Sequence, residues 1–280
     1  MRAWARKKET LIYFLIWVGA GLVALILLGV VTYVAVKGIG AVNWSFLTEM
    51  PSRGGKEGGI SSTIVSTVYL TALALLVSVP VGVGTAVYLT EYGNRKHPFT
   101  RVIEVSAELL AGTPSIVFGL FGFVFFVLLL GLGWSVISGS LTLALMILPT
   151  IIRASQEAIA AVPQEFRENS LALGATKWQT VSRMVLPSAV PGIVTGVILG
   201  IGRCVGETAA VLLTAGSALG MPVSPTDPAR SMAVHLYVLA SEGISTQRAF
   251  GTAFLLITLV LMINYLANVS LRRLSYRVRA

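Results

Sequence analysis

The chain of 280 residues is 55% hydrophobic and 12% charged, against roughly 25% charged in an average soluble domain, which excludes a solvated globule. A mean hydropathy of +0.82 and apolar runs near the ~20 residues of a bilayer-crossing helix point to an all-α polytopic membrane protein. The formal charge of +9, from 21 Lys and Arg against 12 Asp and Glu, lies in short segments between apolar runs. No basic stripe interleaved with aromatics occurs, which excludes nucleic acid as the partner.

Residues 1–10 form a basic N-tail with Arg2, Arg6, Lys7 and Lys8. The uncharged stretch 11–36 exceeds the roughly 7–15 residues of a cleaved signal core, so it reads as a retained signal-anchor helix. After a loop at 37–61 comes a core of five further spans at 62–271, expected at Ser62–Thr90, Leu109–Leu130, Ser135–Ile152, Ser188–Thr214 and Gly251–Leu271. Only Gly131–Trp134 separates the third span of the chain from the fourth, a tight turn. A basic tail, 272–280, closes the chain. With six crossings, fifteen Lys and Arg fall on one side, five on the other, and Arg203 lies within the fifth span. By the positive-inside rule both termini are cytoplasmic, in a cytoplasmic (inner) membrane.

Pro80, Pro114 and Pro149 fall inside spans and suggest kinks, since each removes a backbone donor. In the fifth span Gly192, Gly196 and Gly200 recur every four residues, and Gly202 and Gly206 repeat the step. That is the small-residue pattern through which membrane helices approach closely. Cys204 is the single cysteine; no intrachain disulfide or Cys-based metal site can be built, and it reads as a small core residue.

The loop 153–187 is the longest expected cytoplasmic connection, and 215–250 is its counterpart on the other side. In the first, Pro163 suits a helix start and Gly174 a helix stop, while Thr176 and Gln179 read as a capping box. The result is a helix–break–helix elbow, whose Leu171 and Leu173 would suit a partner's groove or a membrane surface. In the second, Asp227 and Pro228 read as the start of a helix over Ala229–Ala240, with His235 as an exposed or interfacial side chain.

The segment ENSLALGATKWQTVSRMVLP, Glu168–Pro187, resembles the cytoplasmic loop of permease subunits of ATP-binding-cassette importers. Glu168, Gly174, Met184, Leu186 and Pro187 stand at matching positions, with Asn169 and Ser170 where the general pattern has two Ala and Met184 where it usually has Ile. With GTPSIVFGLFG (Gly112–Gly122) and RCVGETAAVLL (Arg203–Leu213), the chain from about Gly59 onward is similar to one of the two permease subunits of the high-affinity phosphate importer. The resemblance implies a helical bundle forming half of an alternating-access pore for inorganic phosphate. It also implies a second permease, two ATPase subunits and an extracytoplasmic phosphate-binding protein as partners. Glu168, Leu171, Ala172, Leu173 and Gly174 are the expected ATPase-coupling residues. No GxxxxGKS/T phosphate cradle, catalytic triad or metal cluster occurs in the sequence, so no cofactor is expected and ATP hydrolysis falls to another polypeptide.

Arg203 and Glu207 are expected midway along one apolar helix, four residues apart and on one face. Each charge at that depth costs on the order of 2.5–3.5 kcal/mol on insertion scales, so lipid exposure is excluded. Two readings stay open: an anion path in which the Arg203 fork meets phosphate oxygens, or a buried ion pair holding helices together. Thr113 and Ser115 flank Pro114 and offer hydroxyls to the same path, unless they bond to their own helix. A secondary transporter using Arg203 and Glu207 as an ion relay, and a permease for sulfate or molybdate, are the competing functions.

Overall fold

The computed structural model describes residues 2–94 and 97–279, excepting the side chains of 2–11, 268 and 270–279. The basic side chains of both tails, with Arg95 and Lys96, lie outside that description. Five helical stretches are long and apolar enough to cross a membrane: Ile12–Ala41, Ser61–Tyr92, Val136–Ala160, Lys177–Val205 and Thr246–Ala267. A sixth crossing requires that two helices act as one span: α4 (Pro98–Gly112) and α5 (Ser115–Gly122, continued as a π-helix to Leu129), bent by 108° at their junction.

That junction corrects the expected third span. Pro114 lacks an N–H and its ring pushes the preceding residue out of the helical region. Thr113 is accordingly extended, with ψ 130, and α4 begins well before Leu109. Pro80 and Pro149, by contrast, lie inside unbroken helices.

Helix α1 (Arg2–Gly38) leans on the start of α12 (Thr246–Arg279), and its apolar window is wholly unburied. Gly38 makes this approach possible, because a Cβ there would meet the Phe250 backbone. Next come a short α2 (Trp44–Thr48) and a two-residue hairpin, β1 (Pro51–Ser52) against β2 (Glu57–Gly58), the one departure from an all-helical chain among the described residues.

The centre of the bundle is the pair α3 (Ser61–Val87) and α6 (Val136–Ala160). They run parallel: Leu70 sits over Gly139 and Ile151 over Gly82, each within 2.8 Å of where a Cβ would stand. Leu143, Met146, Ile147 and Ile151 are buried there to 1% exposure or less. Helix α9 (Leu186–Val205) lies against α6 along the glycine stripe. A Cβ on Gly192 would come 2.5 Å from the Ala158 Cβ, and one on Gly196 2.4 Å from the Ala154 Cβ. Gly200 has 3.6 Å of room, and Gly202 meets nothing within 4 Å. The close approach is therefore confined to the first half of the helix.

At the opposite end from the elbow, the segment between α10 (Ala209–Thr214) and α11 (Met232–Ser241) folds back over the core. Asp227 does not open a helix. Its carboxylate accepts from the Val223 and Ser224 amides, at 2.9 and 2.8 Å, and closes a turn, while Ser231 caps α11.

Candidate functional site

Two places combine exposure, charge and irregular backbone. The first is the elbow. Helix α7 (Gln164–Ala172) ends at Gly174, whose φ of 83 favours glycine, and α8 (Lys177–Thr180) opens with both bonds of the Thr176–Gln179 capping box. Glu168, Leu171, Ala172, Leu173 and Gly174 are all exposed, Leu173 at 89%. Trp178, 62% exposed, extends the same apolar tip.

Beneath the tip is an interaction that spacing did not reveal. Glu91, in the π-helical turn Tyr88–Tyr92 that ends α3, and Arg167 of α7 form an ion pair at 2.7 Å. Their side chains are 8% and 13% exposed. The signal was a lone carboxylate closing an apolar span, which a buried environment tolerates only when paired.

The second place is a pair of helix breaks. Helix α9 ends at Val205 and α10 starts at Ala209, so the expected fifth span is interrupted and Glu207 lies in the gap. Arg203 is in the last turn of α9, and the two residues do not share a helical face. The Glu207 carboxylate accepts from the Ala210 amide at 3.1 Å and so satisfies a donor at the start of α10. Among the described residues, half-buried Arg203 makes no hydrogen bond or ion pair. No Arg203–Glu207 ion pair is formed among the described residues of this structure. Cys204 is buried in the central core, as a small apolar residue is.

Helix α5, which follows the break at Thr113–Pro114, packs parallel to α10, which follows the break after α9: a Cβ on Gly119 would meet Ala210 and Leu213, and one on Gly122 would meet Thr214. Thr113 and Ser115 flank the first break. Both hydroxyl residues are half-buried, but the Thr113 hydroxyl donates to the Leu109 carbonyl at 2.8 Å, back into its own helix. Thr113 borders a cavity of about 370 Å³ whose other walls, such as Val117, Phe118 and Leu145, are apolar.

His235, expected at the surface, is 1% exposed. Its Nδ1 lies 3.4 Å from Nη1 of Arg230, which is 7% exposed, and Arg230 Nε donates to the Ser217 carbonyl at 2.8 Å. As guanidinium only donates, Nδ1 accepts and the proton of the neutral ring is on Nε2. Burial first, then the Arg230 and Arg248 charges, push its pKa down to about 4. Burial likewise lowers the Arg230 pKa.

An exposed helical elbow under a bundle of bent and broken spans is the architecture of ABC importer permeases. The structure of a bacterial alginate ABC transporter in complex with an alginate-bound periplasmic protein superposes with TM-score 0.69 at 17% identity, over 95% of this chain and 96% of the other. An inward-facing MetNI methionine ABC transporter gives 0.62 at 21% identity, over 77% and 94%.

The chain belongs to the family of binding-protein-dependent transport system inner membrane components, whose pattern spans residues 78–280. It is a multi-pass inner-membrane permease subunit of that class. Among its relatives, the probable ABC transporter permease protein YqgI of Bacillus subtilis is 36% identical, over 89% of this chain and 90% of that protein. The phosphate transport system permease protein PstA 1 of Mycobacterium tuberculosis is 38% identical over 79% and 73%. PstA of Yersinia pestis is 32% identical over 96% and 91%.

Proposed function

We propose that the chain is one of two permeases lining an alternating-access path for inorganic phosphate, driven by two separate ATPase subunits and fed by an extracytoplasmic binding protein. The carrying observation is Arg203: a half-buried guanidinium without a hydrogen-bond or ion-pair partner at a break in a span. An unpaired charge in that setting is costly unless an anion or a water-filled path meets it, and the planar fork matches phosphate oxygens two at a time. Broken helices are where transporters place substrate sites, and here the helices that follow two breaks, α5 and α10, pack together. Names of relatives supply the specificity: proteins 32–38% identical are called phosphate permeases.

In this reading Glu207 holds the start of α10 and returns to Arg203 when the path is empty, while Ser115 outranks Thr113 as a contact. Glu168, Leu171, Ala172, Leu173 and Gly174 dock on the ATPase, whose closure on nucleotide moves the elbow and rocks the spans. Gly192, Gly196 and Gly200 form the seam along which α9 rides on α6. The elbow end faces the cytoplasm with both termini, and 37–61 and 215–250 face outward.

Uptake reconstituted with the ATPase, the second permease and the binding protein should require ATP and favour phosphate over sulfate and molybdate. Arg203→Gln should assemble normally yet lower uptake by about tenfold to a hundredfold, given ~1.5–3 kcal/mol for hydrogen bonds to a charged group. Parental uptake by that variant removes the path assignment; phosphate uptake driven by an ion gradient without the ATPase removes the whole reading.

A further inference from the structure

Helix α7 buries none of its own residues. A polar-rimmed cavity of about 660 Å³ separates it from the bundle, bordered by Glu91, Arg167, Lys177 and Thr180. Its attachment therefore rests on few groups, and Arg167 supplies most of them. Nε and Nη2 donate to Glu91 Oε1 at 2.9 and 2.7 Å, at the end of α3. Nη1 donates to the Val162 carbonyl at 2.8 Å and Nη2 to the Ile159 carbonyl at 2.9 Å, at the end of α6. Ile159 is in the last turn of α6 and Val162 just beyond it, where a cation is favoured by the helix dipole.

One guanidinium thus ties the elbow to the ends of the two helices that form the centre of the bundle. Lysine cannot replace it, because one ammonium does not present a planar fork and two further donors at once. Two weaker links run beside it: the Ser170 and Thr180 hydroxyls, 2.9 Å apart, join α7 to α8, and Lys177 Nζ lies 4.9 Å from the Tyr92 ring centre.

We propose that Arg167, seated on Glu91 and the Ile159 and Val162 carbonyls, is the positioning residue that transmits movement of the elbow to α3 and α6. This rests on the coupling role proposed above for the elbow. Arg167 touches neither substrate nor nucleotide; it converts displacement of an exposed tip into displacement of two spans. Without it the tip still docks, but its movement is absorbed within α7.

The test measures ATP hydrolysed per phosphate imported, in proteoliposomes holding the full complex. Arg167→Gln should retain the ATPase subunits on purification and hydrolyse ATP near the parental rate. Its hydrolysis per phosphate should rise by about tenfold, within the range spanned by couplings of this kind. Glu91→Gln, isosteric and still able to accept, should raise it less, and the double variant should be no worse than Arg167→Gln alone. An unchanged ratio in Arg167→Gln overturns the proposal, as does loss of assembly in both single variants, which would make the pair a folding contact.

A second measurement is independent of what the complex transports. In the purified full-length chain, amide hydrogen exchange over Gln164–Ala172 should quicken in Arg167→Gln while that of α3 stays parental. Equal exchange in both chains overturns the proposal. A parental complex that moves no phosphate, together with quickened exchange in the variant, locates the failure in the phosphate reading instead.

Discussion

His235 carries the clearest pH signature in the molecule. Its ring is neutral because burial and two guanidinium groups, Arg230 and Arg248, oppose a third positive charge, and its pKa of about 4 compares with 6.5 for a free imidazole. Between those values the unfolded chain binds more proton than the folded one, so stability rises with pH there. The stabilising contribution is complete above about 6.5 and is lost as pH falls towards 4, by on the order of 3 kcal/mol for a shift of this size. Asp227, held below its usual pKa by the Ser224 and Val223 amides, acts in the same direction but below 3.8. His235→Gln keeps an acceptor for Arg230 and removes the titration. The thermal midpoint of the variant should therefore be flatter than that of the parent between pH 4 and 6.5, and equally steep curves would contradict this assignment. The sequence placed this histidine on a surface helix because nothing near it in the chain supplies the covering groups. They come from the β1–β2 hairpin, where Gly55 approaches so closely that a Cβ would stand 2.7 Å from His235 Cε1.

At the scale of elements, the glycine stripe of α9 makes distinctions that sequence periodicity does not. Gly196 and Gly202 share a helix, but only the first has a neighbour against its missing Cβ. Gly196→Val inserts three carbons where Ala154 already stands, and should cost about 1–3 kcal/mol, read as a lower unfolding temperature in detergent. Gly202→Ala adds a methyl to open space and should be neutral or stabilising by about 0.5–1 kcal/mol through helix propensity. Equal effects at both positions would mean that α9 and α6 are not in contact along this seam. The elbow is legible in the sequence, because Pro163, Gly174 and the Thr176–Gln179 box act locally and nothing tertiary overrides an exposed segment. The fifth span is not. Apolar residues resume at Ala209–Leu213, so Glu207 reads as a charge within one span, whereas the break depends on Gly206 ending α9 and on the Glu207 carboxylate receiving the Ala210 amide. The 108° bend at Pro114 was half legible: proline announced an interruption but not its angle.

For the whole molecule, the proposed orientation rests on charge, and the fold supplies the means to test it. The positive-inside rule compares the short segments at each end of the bundle, where fifteen Lys and Arg oppose five. The count separates the two sides only if α4 and α5 together make one crossing. An additional or missing crossing would exchange the ends of every later helix and mix rich loops with poor ones. Cys204 is buried at 3% exposure, and it can be replaced by Ala to leave a chain without thiols. Leu173 at the elbow and Val223 at the opposite end are 89% and 86% exposed, so cysteines placed there one at a time report opposite faces. Leu173→Cys should react with a membrane-impermeant maleimide only after cells are permeabilised, and Val223→Cys should react in intact cells. Labelling of both from outside would show that the stretch between them, Lys177–Val205, does not cross, and a bent pair that fails to cross would exchange the two labels. The reverse pattern would place the elbow outside, away from any nucleotide-hydrolysing partner, and would leave an importer's coupling surface with nothing to couple to.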